Sequence, residues 1–283
     1  MRYVTSALLL AALSGAPAVA EPPRWHDHAD AAFAEAKESG KIVLVDLYAD
    51  WCGWCKVMDA QVFTTPEFQQ FAADFVLLRV DVEDGGDGTE IQRRFNAASL
   101  PTLLLLDGKQ ALVGQVPGFN PTAKLLARIR SEIGKHAFAV ESYEKALASD
   151  DPVAWERKAI EWHQRGDGAR SAALFEKLVA RNEPDATKVA WRRYLLADAY
   201  RMDERFEPAR EALEPARKAA VATGDPRLVE QVDWLGFAIA RDAHDCTRAE
   251  GALGRLEKEH PKSSFASEAR REWTSLKSSA QCS

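Results

Sequence analysis

The feature that most constrains this chain is the run Ile42-Val-Leu-Val-Asp-Leu-Tyr48, followed four residues later by Cys52-Gly-Trp-Cys55. A compact apolar run of this length reads as a strand buried on both faces, which only a sheet covered on each side by helices can provide. Two further runs, Phe75 to Val82 and Thr102 to Leu106, have the same character. Between them lie helix-like segments around Trp54 to Val62, Pro66 to Ala73 and Glu90 to Phe95. An amphipathic helix over Ala29 to Ser39 precedes the first strand and is stopped by Gly40. Strands alternating with helices predict an α/β sheet for this part.

Beyond about residue 136 the strand signals stop and helical periodicity takes over. Trp155, Ala159 and Trp162 are answered by Phe175 and Leu178. In the same way Leu196, Ala197 and Tyr200 are answered by Ala209, Leu213 and Ala216, and Leu235, Gly236 and Ile239 by Ala249, Leu253, Leu256 and Pro261. These spacings resemble the tetratricopeptide (TPR) pattern of paired helices, stretched slightly between units, and Phe265 to Leu276 is expected to cap the stack. A plain helical bundle is the other reading of the same periodicity.

The 283 residues, 46% of them apolar, suffice for two domains. A formal charge of −6 argues against a nucleic-acid partner, which calls for a basic stripe. Arg2, the apolar run Ala7 to Leu13, the breakers Gly15 and Pro17 and the small-residue pattern Ala18-Val-Ala20 predict a secretory signal peptide cleaved after Ala20. No later apolar stretch is long enough for a membrane span. The expected organisation is signal peptide 1–20, α/β domain 21–134 and helical domain 135–283, with the mature chain in an oxidising, periplasm-like compartment.

Cys52 and Cys55 fall directly after the first strand and at the start of a helix. A helix N-terminus offers free N–H groups and a positive dipole end, both of which stabilise a thiolate. Cys52 is therefore the expected nucleophile, and Cys55, within one turn, the resolving thiol. A zinc site needs a second close ligand pair, and the other cysteines, Cys246 and Cys282, are 36 residues apart, so no metal is expected. Asp46, the one acid in the first run, is costly to bury unless neutral or paired. Desolvation should raise its pKa, making it a candidate proton acceptor for Cys55. An aspartate facing water at a strand bend is the alternative. Trp51 and Trp54 are expected to flank the dithiol and to meet a partner; Lys56 reads as a solvated helix residue.

Together Val45 to Lys56, Leu100-Pro-Thr-Leu-Leu-Leu-Leu106 and Gly118 resemble the thioredoxin family, in particular the periplasmic C-terminal domain of the electron transporter DsbD and related stand-alone thioredoxin-like proteins. The likeness covers roughly residues 25 to 134. It implies that Cys52 attacks, that Cys55 is the buried resolving sulfur, that Asp46 serves as a buried acid, and that Pro101 is a cis proline presenting backbone to an extended substrate segment. General reductants of the family carry Gly-Pro between the cysteines, whereas this chain has Gly53-Trp54, so the family's reduction potential does not transfer.

Asp84-Gly-Gly-Asp-Gly88 has the composition but not the spacing of a calcium loop and reads as a turn. His26 and His28 read as a solvated segment. For Cys246 and Cys282, helix geometry suggests a structural disulfide: two antiparallel helices of similar length joined at His260-Pro-Lys262 bring both sulfurs to the same end.

The expected function is a thiol–disulfide oxidoreductase, a protein-disulfide reductase or isomerase without a cofactor. Its partners are expected to be a protein disulfide client and a membrane electron transporter or thioredoxin-like electron donor. The alternatives are a TPR-type interaction scaffold and a dithiol oxidase.

Overall fold

The computed structural model describes residues 24–278 together with Cys282; the expected signal peptide lies outside them. The apolar run Ile42 to Tyr48 is strand β2 (Ile42–Tyr48) at the centre of a five-stranded sheet. Around it stand β1 (Trp25–His26), β3 (Phe75–Asp81), β4 (Thr102–Leu106) and β5 (Leu112–Pro117), in the order β1-β3-β2-β4-β5. β2 runs parallel to β3, with Asp46 opposite Arg79, and antiparallel to β4, with Asp46 opposite Leu103. α1 (Ala29–Ser39) ends at Gly40 in the left-handed conformation, the stop read from the sequence.

Two apolar layers cover the sheet because side chains alternate along each strand. Val43, Val45 and Leu47 pack with Ala32, Phe33 and Ala36 of α1, Ile91 of α4 (Asp87–Arg94) and both Cys52 and Cys55. Leu44, Leu103 and Leu105 pack on the other side with Met58, Phe63, Phe68 and Leu125. Met58 ends α2 (Gly53–Met58), which continues as a π-helical turn over Asp59–Phe63; Phe68 belongs to α3 (Pro66–Ala72).

β5 carries none of the run-like hydrophobicity of the other strands. Gly114 stands in it because a Cβ there would lie 2.4 Å from Glu132 Cβ, and Pro117 is tolerated because an edge strand needs no ladder donor at that point.

Helix α5 (Thr122–Leu147) is continuous through residue 134, where the composition changes. Its first half buries Leu125, Leu126 and Ile129 against the sheet, and its second half buries Ala139 and Tyr143 in the helical core. One continuous helix thus belongs to both regions. The pairs α6 (Pro152–Gln164) and α7 (Gly168–Val179), α8 (Ala186–Met202) and α9 (Phe206–Thr223), and α10 (Pro226–Asp242) and α11 (Cys246–Glu259) follow, with α12 (Ser264–Ser278) at the end. The large residues of the expected repeats meet in this core: Trp155, Trp162, Phe175, Leu196 and Leu235 are all buried together. Within each pair the turn has one left-handed residue, Gly166, Glu204 or His244, directly before the next helix's N-cap. This recurring turn is consistent with a TPR-like array. Gly236 keeps α10 close to α9, since a Cβ there would meet Leu213 at 3.2 Å. Among the described residues no helix is long and apolar enough to cross a membrane.

The two regions also touch through the β4–β5 hairpin. Leu112 N–H donates to the Arg165 carbonyl at 2.7 Å, and Lys109 Nζ lies 2.8 Å from Asp203.

Candidate active site

β2 delivers the chain into the short segment Ala49-Asp50-Trp51, where Cys52 N–H donates to the Ala49 carbonyl at 2.9 Å and Cys52 becomes the N-cap of α2. Its sulfur accepts the Cys55 N–H at 3.1 Å. A sulfur in that position receives a helix donor and the positive end of the backbone dipoles, the two influences that favour a thiolate once the bond to its partner is open. Cys52 and Cys55 are joined as a disulfide with a Cα–Cα distance of 5.3 Å. Each is 3% exposed, so the bond is recessed.

Two indoles project beside it. Trp51 is 68% and Trp54 61% exposed, unusual for residues of this size. Neither is loose: Trp51 Nε1–H donates to Glu83 Oε1 at 2.8 Å, and Trp54 stacks on Phe119 with ring centroids 5.3 Å apart. The Leu100–Pro101 peptide bond is cis, and the Pro101 carbonyl accepts the Gly118 N–H at 2.8 Å.

Asp46 is 1% exposed and shares its face of β2 with Leu44, the side on which α2 continues through Asp59. Asp59 is four residues beyond Cys55, one helical turn along the same face. Arg79, opposite Asp46 on β3, connects the two acids. It makes a two-pronged contact with Asp59, one arm at 2.8 Å, while its Nε stays 3.6 Å from Asp46 Oδ2. The guanidinium also lies over the Tyr48 ring, 4.4 Å from its centre. Asp46 Oδ1 is buried without a hydrogen-bond partner among the described residues. The Asp46 carboxyl is raised to about 7, by burial above all and by the nearby Asp59, against the opposing pull of Arg79. A carboxyl poised there can hold a proton or accept one near neutral pH.

Arg79, Asp59, Glu83 and Phe119 were not singled out from the sequence. Arg79 carried a signal, as the lone base in the apolar run Phe75 to Val82, and Asp59 another, in its spacing from Cys55. Glu83 and Phe119 reach the site only through the fold.

Cys246 and Cys282 are joined elsewhere, with a Cα–Cα distance of 5.5 Å, and tie the segment after α12 to the start of α11. Asp84 caps its own loop, accepting from the N–H groups of Gly86, Gly88 and Thr89. His26 pairs with Glu35, and His28 is exposed. The one group of side chains with metal-like spacing among the described residues is Asp233, Glu259 and His260. Arg217 already bridges its two carboxylates, at 2.6 Å to each.

A family model described as thioredoxin-like matches residues 24–108, and this part of the chain is a thioredoxin-like domain. The chain is 41% identical over 83 residues to the thiol:disulfide interchange protein DsbD of Actinobacillus pleuropneumoniae, covering 28% of this chain and 14% of that protein. It is 38% identical over 108 residues to DsbD of Ralstonia nicotianae, covering 37% and 18%. The chain thus spans less than a fifth of the length of these relatives. Among solved structures it is similar to a Thermus thermophilus thioredoxin, at 29% identity and a TM-score of 0.36, covering 39% of this chain and 87% of that one. It is also similar to the oxidised C-terminal domain of Neisseria meningitidis DsbD, at 23% identity and a TM-score of 0.33, covering 36% and 90%.

Proposed function

We propose that the chain is a secreted thiol–disulfide oxidoreductase that works on protein disulfides, acting as a reductase or isomerase through Cys52 and Cys55. The observation that carries this reading is a disulfide capping a helix N-terminus, with a buried carboxyl held near pH 7 on the adjoining strand.

In the dithiol form the Cys52 thiolate attacks one sulfur of a client disulfide. The bond between the client sulfurs breaks, the second leaves as a thiolate, and a mixed disulfide links Cys52 to the client. Asp46, as carboxylate, takes the proton of Cys55. The Cys55 thiolate then attacks the Cys52 sulfur and expels the client's remaining thiolate, leaving the Cys52–Cys55 disulfide. A dithiol donor, either a membrane electron transporter or another thioredoxin-like protein, restores the reduced state. Trp51, Trp54 and the cis-Pro101 segment form the surface that meets the client. The helical repeats recruit the client or redox partner, and the Cys246–Cys282 bond is structural.

Trapping tests the reading. Cys55→Ser should hold clients as mixed disulfides through Cys52, released by reductant and absent from Cys52→Ser/Cys55→Ser. If nothing is captured in the native compartment, the oxidoreductase reading fails. A reduction potential well below about −200 mV fits a reductase, and one near about −120 mV an oxidase.

A further inference from the structure

Between the thioredoxin-like domain and the helix pairs lies a cleft of about 770 Å³, within the size range of ligand sites. One wall is α4, and the other is formed by the turns of the three helix pairs together with α12. A second hollow of about 630 Å³ shares Glu90, Arg93, Arg241, Asp242, His244 and Glu272 with the first and ends at Gly85 and Gly86. Those glycines follow Glu83, which holds Trp51 next to Cys52. The two hollows therefore form one trough from the helical turns to the loop that follows Glu83, the residue bonded to Trp51.

Its walls differ in sign. On the helical side Arg201 is committed to Asp198 and Asp242, and Arg241 to Asp242 and Glu272. That network holds three carboxylates against two guanidiniums, with His163 also bonded to Asp198 at 2.9 Å, and Glu204 and Glu268 make the wall acidic, having no ion-pair partners among the described residues. On the α4 side Arg93 has no such partner and Arg94 bonds only to Gln110, against the single acid Glu90. In an extended segment successive side chains point to opposite sides. Two facing walls of opposite sign therefore select alternating charge, not net charge.

We propose that this trough seats an extended segment of the disulfide client in which acidic and basic side chains alternate, delivering the adjoining cysteine to Cys52. The proposal rests on the oxidoreductase reading and names its substrate class. Acidic side chains face Arg93 and Arg94, and basic ones face Glu204 and Glu268.

The test uses the full chain and two fluorescent cysteine-free peptides of equal composition, one alternating Glu and Lys, the other with the same residues in two blocks. Fluorescence anisotropy should show tighter binding of the alternating peptide. Arg93→Glu, and separately Glu268→Lys, should weaken it about fivefold, the change expected for roughly 1 kcal/mol of exposed charge interaction. Equal affinity for both peptides, or single variants that bind the alternating one unchanged, overturns the proposal. Reduction of a small uncharged disulfide by the dithiol form is read in parallel. Activity there without peptide discrimination removes the trough alone. Discrimination without activity removes the client assignment together with the function it rests on.

Discussion

Asp46→Asn should make the oxidised protein more stable above neutral pH and leave it unchanged in acid. Asparagine has the shape of the neutral carboxyl but cannot ionise. The Asp46 carboxyl is raised from 3.8 to about 7, by burial above all, so the folded state holds a proton that the unfolded chain releases. The sign follows: below about pH 4 both states are protonated and the group costs nothing. Between 3.8 and about 7 stability falls by about 1.4 kcal/mol per pH unit, and above 7 the full cost remains. A shift of about three units amounts to about 4 kcal/mol. Arg79 does not lose its partner in the variant, because its two-pronged contact is with Asp59. Urea denaturation of both oxidised proteins at several pH values, followed through the transition that dissolves the sheet, measures the difference. It should grow from near zero at pH 4 to a plateau above pH 7. A difference independent of pH refutes the reasoning, since it would mean that Asp46 is ionised equally in both states.

The same site predicts opposite shifts for its two neighbours. Asp59→Asn removes a like charge and frees Arg79 to turn to Asp46, so the carboxyl titration followed by infrared difference spectroscopy should move to lower pH by about one unit. Arg79→Met removes the opposing cation and should move it upward. Cys246→Ser opens a loop of 36 residues and should cost about 3 to 4 kcal/mol in the chain-entropy model, while the potential of the Cys52–Cys55 pair stays constant under redox titration. Gly114→Ala forces a Cβ against Glu132 on α5 and should cost about 1 to 3 kcal/mol by thermal unfolding.

The chemistry-bearing segment was legible because its residues are consecutive. The strand Ile42–Tyr48, the helix Ala29–Ser39 and the strand Thr102–Leu106 begin and end where the apolar runs and Gly40 place them. Burial on both faces leaves such a strand few polar positions, so its pattern is unambiguous. The paired helices were legible for a similar reason: each buries a stripe of large residues at helical spacing. β5 was not, because a glycine and a proline occupy an edge strand whose form is set by α5 and β4 and not by its own propensity.

Sequence alone determined three of the five strands and their alternation with helices, the placement of Cys52 and Cys55 at a helix start, and an acid inside a buried strand. Only the tertiary structure decided what surrounds them. Arg79 faces Asp46 because β2 and β3 pair in one parallel register, and Glu83 reaches Trp51 across 32 residues of chain. The joining of the two regions through α5 and the cleft between them depend on long-range packing, since no local pattern encodes which surfaces a folded chain brings together.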